Sequence, residues 1–340
     1  IPFYIYSLVS GTEWDFPAAV EDFRTFYKLC RHLEKHPGQR RAEIALVVSE
    51  NAIKSMPMFN QQVESLLFLQ QYRADGTVRK YPLAGPLLNR ETFVGNQGRF
   101  CRSGAPVDIL LAEDLKDHSG TYKLYVFLNS YQYDSAFLKA VDILKQRDCS
   151  LLWLYAPGYT TEMKNHVDNM YPLTGIKIAQ FDKPAAAAVT LADNRVMGTP
   201  MASVAPLFFA ADPQAEVIGR YSDGSAGIAA VRTGKAWSVF SGVWQLDMPF
   251  ILDIARRSGV HLFAEGLDPL EANSSLVMMH ARFPGQKNVK LPHAASVVDV
   301  FNKKLIGINI SEFTFEAKLH ETRLFYFGKD AEGLLEKLVE

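Results

Sequence analysis

The chain has 340 residues, room for two or three domains that each bury a core. Hydrophobic residues make up 48% and charged residues 21%, and 36 basic side chains against 37 acidic ones leave a net charge of −1. That balance, with no basic block, excludes the electrostatic footprint of a nucleic-acid binder, and no apolar run is long enough to cross a bilayer.

Cys30, Cys101 and Cys149 are odd in number and sparse, so no disulfide framework is expected; reduced thiols favour a cytoplasmic setting. The sequence opens at Ile1 without a charged segment before an apolar core, so the opening is not a signal peptide. A fragment of something longer is the expectation.

Residues 2–9 are apolar and aromatic and read as a buried strand. Asp15 reads as the N-cap of a helix with Pro17 in its first turn and an apolar face of Val20, Phe23, Phe26, Tyr27, Cys30 and Leu33. Pro37-Gly38 ends it, completing one β/α unit. A second pattern begins at Glu43 with the fully apolar run from Ile44 to Val48, the kind of strand a parallel sheet buries on both faces. Residues 60–72 and 85–102 read as helices, residues 107–111 and 122–128 as strands. Asp134 caps a helix that buries Phe137, Ala140, Val141 and Leu144, and residues 150–155 form a further strand. Strands alternating with helices at these spacings predict a parallel sheet with right-handed crossovers.

After Gly175 the pattern changes. Residues 216–221 lead into Asp223-Gly224, a hairpin signal, and a second turn at Gly234-Lys235 precedes a strand over 236–242. This is an antiparallel meander. Asp247 caps a helix that stops at Gly259. From Ser275 onward only short strands are expected, with clean period-two alternation over 313–319, so a small all-β, sandwich-like module closes the chain.

Ligands of an open α/β sheet bind beyond the carboxyl ends of its strands. Those ends carry Glu50 and Asn51, Glu113 and Asp114, Asn129 and Tyr131, and Tyr155 to Tyr159. The cluster Glu50, Glu113, Asp114, Asn129 and Tyr159 either binds a sugar or small polar ligand, or caps the following helices and seats a neighbouring domain. No Gly-x-Ser-x-Gly elbow or cysteine equivalent is present, and Cys149 precedes a strand instead of following one. His32 and His36 stand at i and i+4, but Leu33 occupies the place where a zinc protease needs Glu, and histidines near a helix end also suit its dipole. No dinucleotide or Walker motif appears, so neither metal nor other cofactor is expected.

The segments DILLAEDL (108–115), YKLYVFLNSYQYD (122–134) and LLWLYAPGY (151–159) resemble the β-galactosidase-type glycoside hydrolases of family 42. The meander over 216–242 and the helix over 250–260 are similar to later parts of the same domain, so the resemblance covers roughly residues 43–260. It implies a trimerisation domain with a flavodoxin-like, class I glutamine amidotransferase-like parallel sheet that lacks the catalytic cysteine. It implies three parts: residues 1–40 as the terminal β/α unit of a (β/α)₈ barrel, 41–265 as the trimerisation domain, and 266–340 as the all-β module. A barrel needs about 250 residues, so the family's two catalytic glutamates have no counterpart here and no catalytic residue is assigned. Glu13 and Trp14, after the terminal barrel strand, are the positions that approach a sugar; Trp14 stacks on a pyranose or packs on the barrel rim.

Two functions follow. One is the oligomerisation and scaffold region of a glycoside hydrolase acting on β-glycosides, a homotrimer with a glycoside or oligosaccharide as the parent enzyme's substrate. The other is a free-standing carbohydrate-binding or interaction protein without catalysis. An amidotransferase-like hydrolase is a third, more distant reading.

Overall fold

The computed structural model describes residues 17–50, 68–72, 78–82, 91–118, 120–161 and 165–340. In chain order the first elements are helix α1 (Pro17–Lys35), strand β1 (Ile44–Val48), strands β2 (Phe68–Tyr72) and β3 (Val78–Pro82), and β4 (Val107–Leu111). Next come β5 (Leu124–Phe127), α2 (Ser135–Lys145), β6 (Ser150–Leu154), β7 (Ile178–Gln180), β8 (Ala185–Leu191) and β9 (Val196–Val204). Then follow β10 (Phe208–Ala210), β11 (Glu216–Arg220), β12 (Ala226–Thr233), β13 (Ala236–Ser241) and α3 (Met248–Arg257). The last elements are β14 (Leu270–Ala272), β15 (Leu276–His280), β16 (Gly285–Asp299), β17 (Lys304–Ala317), β18 (Thr322–Tyr326) and α4 (Ala331–Val339). The chain divides into two units: Ala42–Leu262, and the residues up to Arg41 together with Phe263–Glu340.

The larger unit is mixed α/β. Its parallel strands stand in the order β4-β1-β5-β6-β13, and the sheet continues antiparallel through β12, β11, β8 and β9. Strands β1 and β5, inside the parallel sheet, carry only hydrophobic side chains because both faces are covered. Ala45, Val47, Tyr125, Phe127, Leu151 and Trp153 face α2, where they meet Phe137, Ala140, Val141 and Leu144. Their neighbours Ile44, Leu46, Leu124, Val126, Leu152 and Leu154 join the opposite core, which includes Ile251 and Ile254 of α3. Both helices start as the sequence predicts: the Asp134 carboxylate accepts from Phe137 N at 2.7 Å and that of Asp247 from Phe250 N at 2.8 Å. Gly259, at φ +69, ends α3 as expected.

Two sequence expectations differ here. Residues 60–72 do not end in a helix: Phe68–Tyr72 is a strand, antiparallel to β3. Asp75-Gly76, between the two strands in sequence, is the hairpin dipeptide that signalled it. The predicted helix over 85–102 is a wide turn over Glu91–Gly95 running into a short helix, Asn96–Phe100. Residues 2–9 and the Asp15 cap lie outside the described residues.

The smaller unit holds one five-stranded antiparallel sheet, β14-β15-β18-β16-β17. The expected short strands are replaced by two long ones of 15 and 14 residues. Register shifts between Lys290 and Val298 bend their ladder, so one face gathers Val277, Val289, Val297, Phe313, Phe315 and Phe325 into a single core. Among the described residues no second sheet covers the other face, as a sandwich requires. Helices α1 and α4 do so, placing Leu29, Leu334 and Leu338 on Val298, Val300, Leu324 and Tyr326. The buried stripe of α1 is Thr25, Leu29 and His32, at i, i+4 and i+7. Phe23 and Tyr27, predicted on the buried face, are 44% and 65% exposed. Among the described residues no helix is long and apolar enough to cross a membrane.

Candidate functional site

Numbered among themselves, the parallel strands run 2-1-3-4-5, with the reversal at β1. Chain connections leave β1 in opposite directions there, which in open α/β sheets opens a ligand crevice beyond the carboxyl ends of β1 and β5. Ser49 and Asn129 occupy those two ends. The Asn129 side-chain amide donates to Ser49 O at 3.0 Å and its oxygen accepts from Ser49 N at 2.8 Å, with both residues buried. The amide thus extends the ladder by one rung and ties the two strand ends together.

The next loop is tied as well. Gly158 N donates to Ser130 O at 2.7 Å and Thr160 N to Tyr131 O at 3.0 Å, lacing the loop after β6 to the loop after β5. Gly158 takes φ +74, and a Cβ there would sit 2.7 Å from the Tyr133 ring and 2.9 Å from Asn169 O. Asn96 adds a third tie, donating to Trp244 O at 2.7 Å.

Tyr155 follows β6 directly at φ +64, a left-handed conformation that a bulky side chain adopts only under strain. A sharp turn of this kind at a strand end is where α/β hydrolases expose a nucleophile. Here the turn carries a phenol that points inward and donates to Pro206 O at 2.6 Å. Its ring packs edge-on against Tyr131, Phe208 and Trp244 at centroid distances of 6.0, 5.5 and 5.2 Å. Burial holds the Tyr155 and Tyr131 hydroxyls far above the ordinary phenol pKa, so both stay neutral and protonated. An aromatic plug fills the place of a catalytic elbow.

Among the described residues no hydrogen bond joins any two of the five predicted strand-end residues. Asn129 is the clasp just described. Tyr159 is nearly buried, donates to Gln180 Oε1 at 2.9 Å and packs on Phe208. Glu50 is exposed just past β1, and Glu113 and Asp114 are exposed in the first turn of a 3-10 helix, Ala112–His118, where carboxylates suit the helix dipole. Glu13, Trp14 and Asn51 lie outside the described residues. Cys149 is buried with its thiol on Leu144 O at 3.5 Å, and burial raises its pKa to about 11. It is no nucleophile at neutral pH.

Open space lies at the opposite edge of the sheet, around Trp237 at the start of β13. A cavity of about 740 Å³ is lined there by Asp148, Gln214, Glu216, Trp237 and Arg257. The Arg257 guanidinium stands 5.5 Å from the Trp237 ring centroid and 3.4 Å from the Glu216 carboxylate. Sequence reading missed this cavity because its residues come from four separate stretches of chain. In the smaller unit, His32 is buried with Nε2 at 3.2 Å from the Tyr326 hydroxyl and 3.2 Å from Lys329 O, and desolvation lowers its pKa.

This architecture matches solved structures of β-galactosidases. One from Bacillus circulans sp. alkalophilus aligns at a TM-score of 0.58 and 11% identity, over 86% of this chain and 42% of that one. The chain has the fold of part of a β-galactosidase. Gan42B, a GH42 β-galactosidase from G. stearothermophilus, aligns in its mutant form at a TM-score of 0.57 and 15% identity, over 86% and 41% of the two chains. An α-L-fucosidase, isoenzyme 2 from Paenibacillus thiaminolyticus, aligns at 0.51 and 11%, over 92% and 52%. This chain therefore spans less than half the length of the β-galactosidases it matches. No protein-family model matches the sequence, and no curated protein does.

Proposed function

We propose that this chain is the scaffold and oligomerisation region of a glycoside hydrolase acting on β-glycosides, and that its hydrolytic carboxylates belong to a barrel outside it. The observation that carries this reading is the closed strand edge: the Asn129–Ser49 clasp and the Tyr155 plug occupy both places where this type of sheet would do chemistry. A retaining glycosidase needs two carboxyl groups about 5 Å apart flanking the sugar. The strand-end carboxylates Glu50, Glu113 and Asp114 are instead exposed to solvent.

Three further observations support it. The 2-1-3-4-5 order with a phenol in the elbow suits an amidotransferase-like sheet that has no nucleophile. Helix α1 carries apolar groups on two faces, one buried by α4 and one presenting Phe23 and Tyr27, which a covering barrel would bury. Strand β4, terminal in the described sheet, exposes Ile109 (45%) and Leu111 (40%), apolar surface suited to a symmetric homo-oligomer, with the trimer implied by the family resemblance. In this reading Glu13 and Trp14 sit beside the parent enzyme's sugar pocket.

The mass of the native polypeptide, detected in its source cells with an antibody to this chain, tests the proposal. A species about twice this length is expected; a native polypeptide of 38.1 kDa overturns it. The Trp237 cavity favours one second reading, a carbohydrate-binding module, since an aromatic ring flanked by carboxylates and a guanidinium suits a sugar face. Saturable galactose binding that Trp237→Ala abolishes would favour it.

A further inference from the structure

We propose that His32, His36 and Asp330 form a binding site for a divalent transition-metal ion of the zinc class, tying the end of α1 to the turn that opens α4. All three lie in the smaller unit: His32 in the last turn of α1, His36 just past its end and Asp330 immediately before α4. One donor atom from each residue lies within 4.8 Å of the other two. His36 Nε2 stands 4.0 Å from Asp330 Oδ2, and the two imidazole rings are 4.6 Å apart, centroid to centroid. A tetrahedral ion with bonds of about 2.0–2.1 Å holds its donors about 3.4 Å apart. Rotation of His36 and Asp330, both partly exposed, closes that gap while His32 stays fixed by its burial.

The state of His32 carries the argument. Its side chain is 2% exposed, and Nε2 faces the Lys329 carbonyl oxygen, which can only accept a hydrogen bond. The Tyr326 hydroxyl, 3.2 Å from Nε2, already donates to that same carbonyl at 2.7 Å, so Nε2 carries the ring hydrogen and donates it. Nδ1 is left as a lone pair, buried and with no hydrogen-bond partner. Buried polar atoms in native proteins are almost always satisfied, so an orphan of this kind asks for an explanation. A metal ion supplies it, because ligating histidines hold their second ring N–H on a backbone carbonyl in this manner, fixing tautomer and orientation.

Asp330 is freed for the same task. It sits at the N-cap of α4 with φ 56, yet its carboxylate makes no capping bond to the helix. Two imidazoles and one carboxylate suit zinc and its first-row neighbours, whereas calcium and magnesium want oxygen donors. The surroundings reinforce that choice. The adjoining cavity, about 790 Å³, is lined by Lys35, Lys329, Glu332 and His293 besides His36 and Asp330. The lysines oppose a hard cation held by charge alone, while nitrogen coordination still favours zinc. Leu33 stands where a zinc hydrolase would place its base, so the ion's role is to clip the fold together.

Calorimetric titration of the tag-free chain with zinc chloride tests this, with magnesium chloride in parallel. One zinc ion per chain is expected, and no heat from magnesium. His36→Ala, His36→Gln and Asp330→Asn should each weaken binding by more than about tenfold, with folding checked by circular dichroism. The control is His320→Ala, which removes one ring of the stacked His280–His320 pair, 6.0 Å apart, and should leave binding unchanged. Absence of saturable binding, unchanged affinity in the folded His36 and Asp330 variants, or loss in the His320 variant overturns the proposal.

Discussion

Asn129 and Ser49, 80 residues apart in sequence, exchange two hydrogen bonds across the ends of two adjacent parallel strands. The pair sits at the reversal of strand order, where ligands of this architecture otherwise enter. One side chain continues the sheet by a rung beyond the two strands. Asn129→Ala leaves the buried Ser49 N–H without an acceptor and should cost about 2–3 kcal/mol. Urea unfolding followed by fluorescence measures it; a loss below about 0.5 kcal/mol would mean that water replaces the clasp.

Tyr155 makes the second tie. Tyr155→Phe removes the donor to Pro206 O while keeping the ring among Tyr131, Phe208 and Trp244. A loss of about 1 kcal/mol is expected. Tyr155→Gly relieves the left-handed backbone but empties the plug, and should cost more than about 3 kcal/mol. If glycine proves the milder change by the same denaturation assay, backbone strain outweighs packing at this turn.

Much of the larger unit is legible in the sequence for a physical reason. Strands buried on both faces, such as the run from Ile44 to Val48, need no partner to be recognised, and Asp134 and Asp247 announce their helices locally. The pairing of β2 with β3 was missed because their polar residues do not stand out from a helix pattern, although Asp75-Gly76 lies between them in sequence. Helix α4 was missed despite Ala331, Leu334 and Leu338 at helical spacing, in a stretch read as strands only. The candidate site is far less legible. Asn129 reads as a polar strand end, and only the structure shows that it pairs with Ser49. His32 and His36 give no sign of Asp330, some 300 residues away, and the φ of Tyr155 has no sequence signature.

Cys149 gives a pH dependence. Burial raises its pKa from an ordinary value near 9 to about 11, so the unfolded chain loses this proton at lower pH than the folded one. The folded state therefore binds more protons between those values, and stability falls as pH rises from about 9 to 11. Tyr326, raised to about 12, and the buried Tyr131, Tyr155 and Tyr221 act in the same direction at higher pH. Cys149→Ala should flatten the stability curve in the lower part of this window. Alkylation of the native chain near neutral pH should spare Cys149, read by mass spectrometry of digests.

In the smaller unit Lys287 Nζ lies 2.8 Å from Asp268 Oδ2, with the Asp268 side chain buried and that of Lys287 mostly so. The other carboxylate oxygen of Asp268 accepts from Arg282 N at 2.8 Å. Lys287→Met strands the carboxylate inside and should cost about 3–5 kcal/mol. Asp268→Asn with Lys287→Met keeps the Arg282 bond and should recover part of that loss, as thermal unfolding of the single and double variants will read.

Hydrolysis of chromogenic β-galactosides by the purified 340-residue chain tests the central claim most directly. The closed strand edge predicts no turnover above the uncatalysed rate. Turnover that Asn129→Ala or Tyr155→Phe alters would contradict it, because those residues would then belong to a working site.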